Sequence, residues 1–220
     1  KFFILQKAIK EGFLVADFKL NFDENGRLKK DYKIIGYVKD ANLKILNKKN
    51  IENLSFNFEI KKDEYFFKDL YSKLFKLGVS SKLIKIKNFQ KYIHIEGDIK
   101  NDDVNLSEYL FFTALTQEIK NLKNIKIQSN NNFSFKVNKK LNIEDLVINS
   151  NLNIKNVDYN FDSPTLKEFI PNFTNKIYLK NHKIKLNYIK DKLTIAGEGE
   201  FILGDKKENI RYDILKVKDN

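Results

Sequence analysis

Strict alternation of apolar and polar side chains runs through most of this sequence. Within residues 54–60, Leu54, Phe56, Phe58 and Ile60 alternate with polar residues. Successive side chains of a β-strand point to opposite faces, so these four share one face. The pattern recurs in residues 14–22, 93–99, 133–137, 146–154, 184–188 and 193–201. It predicts a mostly β chain whose sheet has one apolar face.

Turn signals separate these runs at short intervals. They are Asn25-Gly26, Lys39 to Asn42, Lys48 to Asn50, Asn101 to Asp103, Asn130 to Asn132, Asn181-His182, Asp191-Lys192 and Gly204-Asp205. Short connections favour antiparallel neighbours, and therefore a long antiparallel meander. The apolar phase changes parity around Asp40, where a tight turn or bulge would keep both stretches on one side.

Two segments break the β pattern. Apolar residues at helical spacing (Phe111, Leu115 and Ile119) predict a main helix over about 107–122, which we expect to pack on the apolar side of the sheet. Prolines 164 and 171 predict a short helix near 164–170. No Pro/Gly/Ser-rich linker divides the chain, so we expect residues 1–220 to form a single segment, and its ends predict that this segment belongs to something longer.

The chain carries a formal net charge of +12, which attracts phosphate on nucleic acid or on lipid headgroups. Its only arginines are Arg27 and Arg211. Nucleic-acid readout favours arginine, so this composition weakens a nucleic-acid interpretation. An AT-rich genome would explain the lysine excess equally well. The chain has no cysteine, which excludes disulfides and thiolate chemistry.

No group of residues forms a recognisable catalytic or metal-binding pattern. We expect His94 and His182, the only histidines, to lie at the surface or at a sheet edge. Asp102-Asp103 is typical of a solvated turn, and Glu198 and Glu200 of the polar face of a strand. No glycine opens a helix in a phosphate-binding motif. The sequence predicts a protein that is not an enzyme and needs no metal or cofactor.

The apolar face has two interpretations. It is the dry core of a closed sandwich or barrel, or it is the accessible surface of a curved, open sheet. In the second case acyl chains would bind it without any motif, since each methylene removed from water gains about 0.8 kcal/mol.

Several segments resemble the repeating units of AsmA-like envelope proteins. Residues 31–46 hold a Gly-x-hydrophobic step at Gly36, and Ile51-Glu-Asn-Leu54 then opens an alternating strand. Residues 93–100 and 193–201 are similar to the same units. The predicted helix over 107–122 departs from the family pattern, because it interrupts the meander.

The resemblance implies a large protein of the diderm bacterial envelope. Such a protein would be periplasmic and attached to the inner membrane through a segment outside this chain, with a part in outer-membrane biogenesis. AsmA-like proteins look like relatives of the bridge-like lipid transfer proteins, whose taco-shaped sheets carry lipid along a hydrophobic groove. The implied fold is therefore a groove-like sheet, and the implied function is lipid binding or transfer.

The expected partner is a phospholipid or another acyl-chain lipid, with membranes reached through parts outside this chain. The expected groove-lining residues are Leu54, Phe56, Phe58, Ile93, Ile95, Ile99, Phe133, Phe135, Val137, Ile184, Leu186 and Ile195. The alternative is a structural or assembly scaffold that binds envelope proteins by edge-strand addition. A nucleic-acid partner is not expected, because these aromatic residues share faces with aliphatic ones and not with lysines.

Overall fold

The computed structural model describes residues 9–29, 31–45, 49–74, 77–105, 122–160 and 176–217. These residues form one 11-stranded sheet in which every strand is hydrogen-bonded to its neighbours in sequence order. The order runs from β1 to β11, and these two strands are its ends, so the sheet is not closed. Neighbouring strands from β1 to β6 and from β9 to β11 pair antiparallel. The predicted mostly β antiparallel meander is confirmed.

The strands are long. Their bounds are β1 Ile9–Lys19, β2 Lys33–Ile45, β3 Lys49–Lys61, β4 Glu64–Leu74, β5 Leu77–Asn88, β6 Tyr92–Asn105, β7 Leu122–Asn138, β8 Ile143–Asn160, β9 Lys176–Ile189, β10 Lys192–Leu203 and β11 Lys206–Val217.

Contacts divide the chain into two compact units. The first comprises Lys1–Asn101 and Asn131–Val147, and the second comprises Asp102–Asn130 and Ile148–Asn220. Each unit is described below by itself. The expectation of a single segment belonging to a longer repeating protein stays a prediction.

Several predicted turns are β-bulges inside continuous strands. Asp40, predicted near a turn, has φ 51° within β2, and the β2–β3 register shifts between Val38 and Ala41. Asn181 has φ 54° within β9. A bulge inserts one residue and leaves the strand running, so it uses the same Asn and Asp residues as a turn. At Asp40, where a tight turn or a bulge is predicted, the structure has the bulge. The turns predicted at Lys39 to Asn42, Asn181-His182, Asn101 to Asp103 and Asn130 to Asn132 are wrong, because these residues lie within continuous strands.

No helix occurs in the described residues. The predicted helices over about 107–122 and near 164–170 fall almost wholly on residues 106–121 and 161–175, which lie outside the described residues. Leu122, expected to end the first helix, begins strand β7 instead.

Few apolar side chains are buried in the described parts of the chain. They are Ala41 and Phe58 in the first unit and Ile125 and Val157 in the second. A closed sandwich of this length would bury most of its inward-facing residues. The closed-core interpretation is therefore wrong for the described sheet.

Candidate functional site

Cross-strand registers of the first unit align apolar residues in rows, since directly paired residues share a face. One row runs Phe18, Ile34, Ile60, Tyr65, Ile86 and Ile95 across β1 to β6. The next row runs Ala16, Gly36, Phe58, Phe67, Ile84 and Gly97. Neither row contains a charged residue. We call the side of the sheet that carries these rows the apolar face.

Phenylalanines cluster in the middle of the apolar face. The ring centroids of Phe56 and Phe67 lie 5.5 Å apart in an edge-to-face arrangement, and those of Phe56 and Phe58 lie 6.3 Å apart. Phe58 is 9% exposed because its ring packs over Gly36, where a Cβ would come within 2.9 Å of Phe58 Cε1. The glycine provides a flat place on the sheet for this ring.

A side-chain hydrogen bond assigns the faces of β6 and β7. His94 Nε2 lies 2.8 Å from Ser134 Oγ, so both side chains lie on the same side of the sheet. Since side chains alternate along a strand, Phe133 and Phe135 lie on the opposite side, which is the apolar face of Ile95. The centroids of these two phenylalanine rings are 6.0 Å apart.

The prediction that the runs 54–60, 93–99 and 133–137 share one side of a continuous sheet is confirmed. Leu54 joins this face through the bulge at Asp40, because it pairs with Ala41. Nine of the expected groove-lining residues thus lie together on the apolar face of the first unit. They are Leu54, Phe56, Phe58, Ile93, Ile95, Ile99, Phe133, Phe135 and Val137.

The apolar face is only partly covered. Ile93 is 38% and Ile99 is 39% exposed, and on β1 Leu14 and Phe18 are 67% and 64% exposed. Of the nine residues, Phe58 is buried and the other six, which are Leu54, Phe56, Ile95, Phe133, Phe135 and Val137, are half-buried. Apolar surface that is exposed to water is unfavourable. An apolar ligand that covered this face would therefore bind with a favourable free energy.

The opposite side of the first unit is charged. Glu59 accepts ion pairs from Lys33 and Lys61, each at 2.9 Å, and from Lys68 at 3.3 Å. Hydrogen bonds from Lys33 and Lys61 lower the pKa of Glu59 to about 2. Lys85 pairs with Glu96 on the same side. We call this side the charged face.

Three aromatic rings lie among the lysines of the charged face. Lys61 Nζ and Lys85 Nζ lie 5.5 and 5.8 Å from the centroid of Phe66. Phe89 stacks on Tyr92 with centroids 4.7 Å apart, and Lys136 lies 5.0 Å from the Tyr92 ring. Sequence reasoning missed Phe66 because it is adjacent to Phe67. Only the alternation of side chains in β4 shows that these two residues lie on opposite faces.

The other three expected groove-lining residues lie in the second unit. Ile195 pairs with Leu186, and Gly197 pairs with Ile184, so all three apolar side chains share one face of β9 and β10. Ile214 of β11 continues this row beside Ile195 and is 51% exposed.

A buried histidine lies on that same face of the second unit. His182 is 2% exposed, with Nε2 at 3.0 Å from the Glu200 carbonyl oxygen and Nδ1 at 3.4 Å from Tyr212 Oη. A carbonyl only accepts, so Nε2 carries the proton and Nδ1 accepts from the tyrosine. Burial raises the pKa of Tyr212. The expectation of a surface or sheet-edge histidine is wrong here, because His182 is in interior strand β9 beside the small residue Gly199.

Two carboxylates singled out in the sequence, Glu200 and Asp102, lie on different strands. Glu200 pairs with Lys207 at 2.9 Å, and a hydrogen bond from this lysine lowers the pKa of Glu200. Asp102 is exposed on β6 and not in a turn. The described residues hold no cluster of three or more His, Asp or Glu side chains arranged for a metal ion. They also include no helix with the length and apolar character needed to cross a membrane.

No protein-family model, no curated protein and no solved structure matches this chain.

Proposed function

We propose that this chain is a lipid-binding or lipid-transfer segment that shields acyl chains on the apolar face of its first unit. The observation that carries the proposal is the pair of aligned rows that hold no charged residue and stay partly exposed. A soluble surface is ordinarily a mixture of apolar and charged groups. Here the aligned rows of one face hold no charged residue, and the lysines that pair with Glu59 and Glu96 lie on the opposite face, which suits an extended apolar ligand.

The free energy available is sufficient. An acyl chain of ordinary length that leaves water along such a surface recovers on the order of 10 kcal/mol, at about 0.8 kcal/mol per methylene. Ordering of the chain offsets part of this gain. Binding of this kind needs no polar contact, so the ligand slides along the rows, and movement requires no covalent chemistry.

The sheet of the proposed segment curves into a taco-shaped groove around the ligand. Lysines in the turns, among them Lys62, Lys91, Lys139 and Lys140, meet headgroup phosphates at its rim. The proposed location is the periplasm, with attachment to the inner membrane through a segment outside this chain and passage of lipid towards the outer membrane. The resemblance to AsmA-like repeats supports this location, and the uncharged rows support the ligand class.

A charge placed on the apolar face tests the proposal. In Phe56→Asp and Phe135→Asp the aspartate stays partly hydrated on an open face, so the fold survives while acyl chains are repelled. Tyr37→Asp is the matched control, because Tyr37 is 43% exposed and pairs with Asn57 of the charged face, next to the pair of Val38 with Phe56. The measurements are thermal melting, fluorescent-lipid binding and mass spectrometry of lipid retained by the purified chain.

The expected result is a cooperative melt in all three variants, with lipid binding lost in the two phenylalanine variants and kept in Tyr37→Asp. Unchanged lipid binding in Phe56→Asp and Phe135→Asp would remove the apolar face as the lipid site. Loss of the melt in both would indicate that this face is covered in solution.

A structural or assembly scaffold is the second candidate, and the exposed edge strand β1 favours it. Phe13 is 71% exposed at this edge. A scaffold would purify without lipid and would retain protein partners, whereas a lipid-transfer segment would retain phospholipid.

A further inference from the structure

The middle of the edge strand β1 carries exposed apolar side chains on both of its faces, whereas Glu11, Asp17 and Lys19 charge its two ends. Phe13 and Val15, on the charged face, are 71% and 46% exposed, and Leu14 and Phe18, on the apolar face, are 67% and 64% exposed. In the described sheet β1 has β2 as its only neighbour, so its outer backbone groups face no described strand. Natural sheets protect such edges with charges, prolines or bulges. The four consecutive residues 13–16 carry no such protection.

The other end of the strand order differs in composition. Strand β11 holds six charged residues among twelve, namely Lys206, Lys207, Glu208, Arg211, Asp213 and Lys216. An edge with this composition resists pairing with another strand. Of the two edges, β1 is therefore the one whose sequence suits the addition of a strand.

We propose that β1 pairs antiparallel with β1 of a second copy of this chain, about a two-fold axis at Val15. The charges of β1 support this occupant. Glu11 and Lys19 lie four residues before and four residues after Val15, and each carries its side chain on the same face as Val15. Pairing centred on Val15 therefore places Glu11 of each copy opposite Lys19 of the other, at both ends of the joined strands.

The residues of the apolar face also match in this register, whereas Phe13 on the charged face lies opposite Asp17 of the second copy. Leu14 pairs with Ala16 of the second copy, and Phe18 lies over Gly12, which has φ 129° and no side chain of its own. An aromatic side chain across from an edge glycine is a favourable cross-strand pair. Glu11 accepts a hydrogen bond from Asn42 Nδ2 at 2.9 Å, which holds its carboxylate in place and leaves one oxygen for the partner lysine.

The two-fold axis has a geometric consequence for the sheet. An axis perpendicular to the strands and to the sheet keeps each face on its own side, so the apolar faces of the two first units become continuous. The dimer thus doubles the area of the apolar face without any contact on that face. This inference goes beyond lipid binding and does not depend on it, since it rests on the edge of the sheet.

Charge reversal tests the register. Glu11→Lys and Lys19→Glu each replace two attractive pairs by two repulsive ones, which should weaken the dimer by about tenfold or more. The double variant Glu11→Lys/Lys19→Glu restores both pairs with the charges exchanged. A mixture of the two single variants should form heterodimers, because each copy then supplies the charge that the other lacks. Sedimentation velocity of the full chain over a concentration series measures all four, and circular dichroism confirms that each variant is folded.

Val15→Lys adds a test at the axis. It places two lysines opposite each other and should leave a monomer, whereas the control Val15→Thr keeps a β-branched residue and should leave the dimer. A wild-type chain that stays monomeric at every concentration overturns the proposal. So does a dimer that the single reversals do not weaken, or that the double variant does not restore. These outcomes are separate from lipid binding, which Phe56→Asp tests in the same chain.

Discussion

Gly199→Ala should destabilise the protein much more than Gly197→Ala, although the two glycines lie two residues apart on the same face of β10. A Cβ on Gly199 would overlap the His182 ring and lie 2.8 Å from His182 Cα. A Cβ on Gly197 would overlap the ring of Tyr212, with Oη at 2.5 Å. The difference between the two positions is therefore what each methyl group would have to displace.

His182 has little freedom to move. Its side chain is 2% exposed, its Nε2 donates to the Glu200 carbonyl, and its backbone lies within the interior strand β9. Tyr212 is on the edge strand β11, so its ring has room to move toward solvent at the loss of its 3.4 Å hydrogen bond to His182. Overpacking against a fixed neighbour costs about 1–3 kcal/mol, and alanine gains roughly 0.5–1 kcal/mol over glycine within a strand. We expect a net loss of about 2 kcal/mol for Gly199→Ala and of less than about 1 kcal/mol for Gly197→Ala.

Urea unfolding of the two variants gives the comparison, and a double-mutant cycle gives the cause. In a His182→Ala background the ring is gone and only the close approach to the Cα of residue 182 remains. Most of the loss for Gly199→Ala should therefore disappear, with a coupling energy of about 1–2 kcal/mol. Equal losses for the two glycine variants would contradict the reasoning. A loss for Gly199→Ala that is undiminished without the histidine ring would contradict it as well.

Two further predictions concern polar groups of the first unit. Glu59→Gln should lower the free energy of unfolding at neutral pH by about 1–2 kcal/mol, a range reduced because the lysines around Glu59 are partly exposed. The pKa of Glu59 is lowered on folding from 4.5 to about 2, so wild type keeps this stabilisation above about pH 4.5 and loses it as the pH falls toward 2. Urea unfolding over this pH range should show the two proteins converging, and a constant difference would exclude Glu59 as the source. Ser81→Ala should raise the unfolding free energy by about 1 kcal/mol, because the buried Oγ of Ser81 has no hydrogen-bond partner among the described residues. The control Ser80→Ala, at a half-buried position on the other face, should change it little, and a destabilised Ser81→Ala would show that the hydroxyl is bonded in solution.

Alternation in the sequence was enough to predict the meander and the face of the residues in strictly alternating runs. Leu54, Phe56 and Phe58 were placed on one face from period alone, and the register confirms it. The lengths of the strands could not be predicted in the same way. An asparagine or aspartate with positive φ serves a turn and a bulge equally, so Asn181 gave a turn signal within a strand that continues through it.

Face assignment also fails where two aromatic residues are adjacent. In the sequence Phe66 and Phe67 are two consecutive apolar residues that do not indicate a face. In the structure Phe67 pairs with Phe58 on the apolar face, and Phe66 pairs with Glu59 on the charged face. His182 was missed for a related reason, since the space that accepts its ring comes from Gly199 on the next strand. Contacts across strands depend on register, and a single sequence does not specify register once bulges are present.

Bulges explain how this sheet keeps its two faces separate over long strands. Each inserted residue shifts the alternation by one, so an uncompensated bulge would carry lysines onto the apolar face and phenylalanines onto the charged face. In β2 the residue at Asp40 is inserted where the apolar phase of the sequence itself changes, from Val38 to Ala41, and both of these residues remain on the apolar face. In β5 the register shifts between Ser80 and Ile84, and the Asp98 carboxylate accepts hydrogen bonds from the backbone N–H groups of Lys82 and Leu83 there. The apolar alternation of the sequence thus changes phase where the backbone inserts a residue. A continuous apolar surface requires this coincidence, and a chance irregularity would not maintain it.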